Sequence, residues 1–283
     1  MDPRLEDLLS LLKLEQLEVN LFRGESRDIG STQVFGGQVL SQALTAASAT
    51  VDGRMVHSLH AYFLRRGDCN ARIVYSVDRS RDGHSFSSRR VVAIQHGEPI
   101  FNMAASFQAM ESGLEHQAKM PRVPMPETLP DNSHFSPAML ERLPLKLRRF
   151  LQKPIAFEFR HVDADLLDAG NALPLRKVWL KSVGSLPSDE ALHRCLLAYV
   201  SDIHLLDTAL LPHGGYAASE KTIMASIDHA MWFHRSLRVD DWLLYDVDSP
   251  SASGARGFAR ANLFARDGTL VASTAQEGLL RRI

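Results

Sequence analysis

Cysteine is almost missing from this sequence: Cys69 and Cys195 are the only two in 283 residues. Two are too few for a disulfide framework or a four-cysteine zinc site, and they fit a reducing compartment. An excess of either charge is missing as well. The 32 Lys and Arg stand against 33 Asp and Glu, a net charge of −1, so no basic field draws nucleic acid. Arg makes up 25 of those basic residues, which a compositional bias explains more simply than phosphate binding does. No uninterrupted apolar run approaches the roughly 18 residues of a membrane span. The opening MDPRLEDLLSLLKLEQLE mixes acids with leucines and reads as neither a signal nor a transit peptide. The closing RRI is not an SKL-type address. The expectation is a cytoplasmic protein with no nucleic-acid or membrane partner.

Several catalytic signatures are also absent. Gly83-His84-Ser85-Phe86-Ser87 lacks the second glycine of a nucleophile elbow, and no glycine-rich phosphate loop of either common type occurs. Glu158 and His161, and Glu190 and His193, have E-x-x-H spacing, but only the second pair falls on an expected helix. His57/His60 and His229/His234 follow no zinc spacing with a third ligand. No metal and no cofactor are expected.

What is present is 45% hydrophobic and 23% charged, the balance of a globular chain. Leu5, Leu8, Leu9 and Leu12 mark one helical face and predict a helix over about 4–18. After Phe35-Gly36-Gly37-Gln38, the residues Val39, Leu40, Ala43, Ala46 and Ala47 predict a second helix with a face of mostly small residues, around which a sheet can wrap closely. Alternation from Met55 to Gln108 predicts strands, with turns at Asp82-Gly83 and Gly97-Glu98-Pro99. From Glu111 to Pro137, five prolines predict an extended connector. Ser188 as N-cap, followed by Asp189-Glu190, opens a third helix with Leu192, Cys195, Leu196 and Tyr199 on one face. Strands resume from Ile223 to Arg281, with Asp267-Gly268 as a two-residue hairpin turn. Helix-then-sheet thus occurs twice. A gapless offset of 170 aligns Phe63 with Phe233, Tyr75 with Tyr245, Asp78 with Asp248 and Arg90 with Arg260; Gln108 and Gln276 sit at 168 and need a small shift. The fold class is α+β by duplication: 1–110 and 146–283 are the two repeats, each a helix against a curved antiparallel sheet, and 111–145 is the Pro-rich connector.

Three polar positions stand out in the second repeat. Asp202 follows the third helix, where the negative end of the helix dipole would raise its pKa and make it a stronger base; a loop Asp in a turn hydrogen bond is the competing reading. By simple alternation Ser226 shares a face with Met224, Asp228 and Trp232, opposite His229, while Gln276 faces with Leu270, Ala272 and Thr274. Acid, hydroxyl and amide together could cradle an attacking water.

The chain resembles the acyl-CoA thioesterase II family of double hot-dog proteins. The resemblance runs over nearly the whole sequence, through Val34-Phe-Gly-Gly-Gln38, Ala105-Ser-Phe-Gln108, Ser201-Asp202, Ile227-Asp-His-Ala-Met-Trp-Phe-His234, Ser251-Ala-Ser-Gly-Ala-Arg-Gly257 and Val271-Ala-Ser-Thr-Ala-Gln-Glu-Gly278. It implies hydrolysis of acyl-CoA without a cofactor, a catalytic set of Asp202, Ser226 and Gln276, and association into homodimers or homotetramers. Ser226 stands where many relatives have Thr. No acid occupies the first helix end at Ala47-Ser-Ala-Thr50, which implies one site per chain with the first repeat as scaffold and acyl-pocket wall. Backbone N–H groups at Gly36-Gly37 are an oxyanion candidate. Two rivals remain at this stage. One is an enoyl-CoA hydratase-type enzyme, for which Asp52 and His57 have the D-x-x-x-x-H spacing. The other is a non-catalytic acyl-CoA-binding or scaffold protein.

Overall fold

Leucine periodicity near the start produces a helix, but a shorter one than its spacing predicts. In chain order the first half holds α1 (Pro3–Leu12), β1 (Glu15–Glu18), β2 (Leu21–Gly24), α2 (Gly36–Ser48), β3 (Met55–Phe63), β4 (Ile73–Asp82), β5 (Phe86–Gln95) and β6 (Glu98–Gln108). The second holds β7 (Phe157–His161), β8 (Leu175–Ser182), α3 (Glu190–Ser201), α4 (Leu205–Thr208), β9 (Thr222–Ser226), β10 (Asp228–Phe233), β11 (Leu243–Ser253), β12 (Arg256–Ala265) and β13 (Leu270–Arg282). This computed structural model describes residues 1–30, 33–130, 155–162, 172–215 and 221–283, with 141, 145, 148, 153 and 218 between them. Most of 131–154, where the connector is expected to end at 145 and the second repeat to begin at 146, lies outside the described residues. α1 stops at Leu12 because the next positions of its apolar face are Glu15 and Gln16. Those residues instead pair with β2, and Glu15 meets Arg23 at 2.8 Å.

The strands join in the order β1-β2-β4-β5-β6-β3, then β10-β13-β12-β11-β8-β7, with β9 added beside β13. The second half runs through the counterparts of the first in reverse, and the two meet where β3 pairs antiparallel with β10. α2 and α3 lie within this sheet. Leu40, Ala43, Leu44, Ala46 and Ala47 of α2 and Leu196, Leu197 and Ala198 of α3 are fully buried; each large side chain contributes about 1.5–3 kcal/mol relative to exposure. Asp189, rather than Ser188, caps α3, accepting from the N–H groups of Ala191 and Leu192. The run Glu190–His213 has the length and hydropathy of a membrane span, but 78% of its most apolar window is buried, and α3 packs there as core against α2.

Turns depart from expectation in detail. β5 and β6 are joined by His96-Gly97, both at positive φ, so Glu98 and Pro99 already belong to the strand. Residues 266–269 make a four-residue link in place of a two-residue turn at Asp267-Gly268, closed by Ala265 N–H donating to Thr269 O. Residues 111–125 of the expected connector form no helix or strand, and the segment is anchored to the second half. Gln117 bonds Gly268 O and Leu270 N, Pro124 O accepts from Trp179 Nε1, and Met120, Val123 and Leu129 cover Trp179, Leu244 and Phe264.

Both halves carry a bulge at matching positions. The β3–β6 register slips between Val56 and Ser58. In the second half Ser226 pairs with Gly278 while Ala230 pairs with Ala275, one residue out of step, with Ile227 at the break. An extra residue in a strand reverses which side the following residues face. The alternation predicted through Met55–Phe63 and through Ile223–His229 therefore fails at His57 and Ile227.

α2 and α3 approach so closely that a Cβ on Gly37 would stand 2.2 Å from Tyr199 O. Backbone cannot yield as a side chain can, so Gly37→Ala should cost about 2 kcal/mol or more, read as a lower urea midpoint with unchanged m-value.

Candidate active site

The close approach of α2 and α3 brings the N-terminus of one helix against the residue that ends the other. Asp202 is the C-cap residue of α3, and its side chain is 5% exposed. Gly37 N–H, in the first turn of α2, donates to its carboxylate. Gly36 leaves room for it, since a Cβ there would lie 2.6 Å from Asp202 Oδ2. The first half therefore builds part of the site, where the sequence suggested mainly scaffold and pocket wall with Gly36-Gly37 as one oxyanion candidate. Gly37 N–H, expected to serve an oxyanion, is engaged by Asp202 instead.

Two further elements complete the cluster. Gln276 of β13 is fully buried and its Nε2 donates to Asp202 Oδ1 at 2.6 Å. Ser226, the last residue of β9, donates to the same oxygen at 3.5 Å. Of the three residues singled out from the sequence, Ser226 and Gln276 thus converge on the carboxylate of the third, Asp202. A fourth was missed: His229 of β10 is fully buried, with Nδ1 3.3 Å from Gln276 Nε2 and 3.9 Å from Asp202 Oδ1. Alternation put it opposite Ser226, but the bulge at Ile227 turns both toward Asp202. Asp228 takes the other side and accepts from Glu277 N–H at 2.7 Å. A histidine inside an otherwise apolar strand pattern was the available signal.

Burial dominates the electrostatics. It raises Asp202 to about 6, against the bonds from Gln276, Gly37 and Ser226, which pull it down. The helix-dipole explanation offered by the sequence is replaced by desolvation. Burial also lowers His229 to about 3 and keeps it neutral. Beside the cluster lies a cavity of about 230 Å³, whose walls include Val34, Gly36, Phe63, Ile100, Arg66 and Ser226.

Register shows what the first half has at the same places. Arg89 pairs with Ala105 and Ala259 with Gln276. Positions 89 and 259 share the 170 offset, so the counterpart of Gln276 is Ala105 and not Gln108. By the same offset Val56 matches Ser226 and Leu59 matches His229, and Ala49 caps α2 as Asp202 caps α3. Every polar member of the cluster has an apolar counterpart, so among the described residues the first half does not repeat the site.

The other candidates stay apart. Asp52 is exposed in a loop, and His57 bonds Ser106 Oγ at 2.8 Å. Glu158 and His161 lie on strand β7; Glu190 pairs with Arg194, and His193 bonds Pro187 O and Val239 N. Among the described residues no group of three His, Cys, Asp or Glu could hold a metal ion.

Comparison with known proteins finds acyl-CoA thioesterases. A family model described as acyl-CoA thioesterase matches residues 153–279, and one described as acyl-CoA thioesterase N-terminal domain matches 23–108. Acyl-CoA thioesterase 2 of Haemophilus influenzae is 42% identical over 279 residues, covering 98% of each chain. The chain belongs to the acyl-CoA thioesterase II family. Human acyl-coenzyme A thioesterase 8 is 41% identical, over 96% of this chain and 88% of its own. The crystal structure of an acyl-CoA thioesterase II from Mycobacterium marinum superimposes with a TM-score of 0.81 at 44% identity, covering 98% of both chains. A hot-dog protein from Alicyclobacillus acidocaldarius, 18% identical, reaches a TM-score of 0.78 over 98% of both chains, so the fold is of hot-dog type.

In this thioesterase-family chain the buried carboxylate weakens the fold that holds it. A folded-state pKa near 6 against 3.8 unfolded means that the unfolded chain ionises more readily, at a cost of about 2–3 kcal/mol at pH 7. That cost is absent below the unfolded value and complete above the folded one. Asp202→Asn should therefore melt higher than the parent at pH 7, with the two converging below about pH 4.

Proposed function

We propose that this protein hydrolyses acyl-CoA thioesters to free fatty acid and CoA, with Asp202 as general base and Ser226 and Gln276 orienting the attacking water. The observation that carries the reading is the convergence of Ser226 and Gln276 on the buried Asp202 carboxylate beside a cavity, in a chain of this family. Asp202 Oδ1 is taken up by Gln276, while Oδ2 lies next to Gly36, which also lines the cavity. Water placed there gives a proton to the carboxylate as its oxygen attacks the thioester carbon. Collapse of the tetrahedral intermediate breaks the C–S bond, and the same proton passes to the departing CoA sulfur, so Asp202 ends ionised. With Gly37 N–H engaged, Gly36 N–H in the first turn of α2 is the backbone donor left at the cavity for the developing oxyanion. Arg66, exposed at the cavity rim, suits the CoA phosphates.

The mirrored strand order supports two hot-dog copies in one chain, 1–110 and 146–283, joined by 111–145. Exposed Tyr62 and Trp232 on the paired central strands support association into a homodimer or homotetramer. Free Cys69 and Cys195 suit a cytoplasmic setting.

The test is thiol release from acyl-CoAs of increasing chain length. Asp202→Asn should lose about 10²–10⁴-fold in kcat while still binding acyl-CoA. In the parent, kcat/KM should fall as pH drops through about 6, where the carboxylate takes up a proton. Binding without thiol release by the parent would favour the acyl-CoA-binding rival. Full activity in Asp202→Asn would remove the base assignment.

A further inference from the structure

We infer that His229 is a positioning residue for the reaction, fixing which end of the Gln276 amide meets Asp202. The inference rests on the hydrolytic reading above and follows from counting protons. The Thr274 hydroxyl donates to Ala230 O at 2.8 Å, and the Ser201 hydroxyl donates to Ala198 O at 3.0 Å. A hydroxyl has a single proton to give. Both oxygens also lie 3.0 Å from His229 Nε2, so toward the ring they can only accept, and Nε2 carries the hydrogen. The buried ring is neutral and holds one N–H. Nδ1 is therefore a bare lone pair, aimed at Gln276 Nε2 at 3.3 Å.

Gln276 consequently faces two acceptors, the Asp202 carboxylate and the imidazole nitrogen, and only its NH₂ end satisfies both. A flipped amide would set Oε1 against both lone-pair donors at once, inside a buried site where such repulsion is costly. In the held orientation Oε1 is buried and has no partner among the described residues, which leaves it able to accept a hydrogen from the attacking water. The orientation is passed inward from Ser201, the residue before Asp202, through His229 to Gln276. In the first half the counterparts Leu59 and Ala105 provide no such relay. The remaining titratable groups near Asp202 are Tyr199 of α3 and Tyr245 of β11, buried phenols raised above their ordinary pKa and neutral.

The test compares His229→Leu, which installs the residue of the other repeat, with His229→Asn, whose Oδ1 can take the place of Nδ1. Folding is checked by thermal melting. His229→Leu should lower kcat about 10²-fold with little change in KM. It should also move the acidic limb of kcat/KM upward, since a freed amide can turn Oε1 toward Asp202. His229→Asn should recover at least about tenfold in kcat and return the limb toward that of the parent. A purely structural histidine would change neither limb nor rescue pattern. Parental kcat and limb in His229→Leu, or no rescue by a folded His229→Asn, would overturn the inference. If neither variant folds, Ser201→Ala/Thr274→Val decides. Removing both acceptors of the Nε2 hydrogen should release the tautomer and shift the limb upward, and an unmoved limb overturns the inference. Thiol release by the parent and its loss in Asp202→Asn keep the hydrolytic reading separate, since that pair can hold while the role of His229 fails.

Discussion

A carboxylate held out of water between two helix ends is the interaction on which the rest of this molecule turns. Asp202 closes α3, and the first turn of α2 is brought against it by a helix packing that tolerates no side chain at Gly36 or Gly37. The same closeness that desolvates the acid supplies one of the N–H groups that keep it ionisable. Burial and hydrogen bonding pull in opposite directions on its proton affinity, and burial is the larger. A base of about this strength is mostly ionised at neutral pH yet still basic enough to accept a proton from water.

The sheet serves this arrangement by bringing distant segments to one point. β9, β10 and β13 are neighbours through hydrogen bonding, so Ser226, His229 and Gln276 arrive from strands whose register fixes their relative heights. The bulge at Ile227 is essential to that geometry. Without it, Ser226 and His229 would face opposite sides of the sheet. A bulge lies at the matching position, His57, in the first half, where the residues matching Ser226 and His229 are the apolar Val56 and Leu59.

The two halves of the chain are not equivalent. The first keeps apolar residues at Ala49, Val56, Leu59 and Ala105 and contributes the glycine-led end of α2 to the site of the second. The connector contributes to the body as well. By covering Trp179, Leu244 and Phe264 it closes an outer face of the second half that would otherwise expose aromatic surface to water.

Much of this was legible in the residues themselves. Helical spacing placed α2 and α3, period-two alternation placed the strands, and the 170 offset aligned the strands of the two halves, because local periodicity follows backbone geometry. The family motifs pointed to Asp202, Ser226 and Gln276. What needed the tertiary structure was every relation between segments far apart in the chain. A one-residue bulge is invisible to alternation, so His229 was put on the wrong face and Gln276 was matched to Gln108 instead of Ala105. The pKa of Asp202 was traced to its own helix, when the decisive quantity is desolvation by elements from both halves. The sequence by itself determined which residue types and which repeated elements were available, since those follow from local pattern. Only the packing of α2 against α3, through two glycines with no side chain to keep them apart, decided that the two halves share one site.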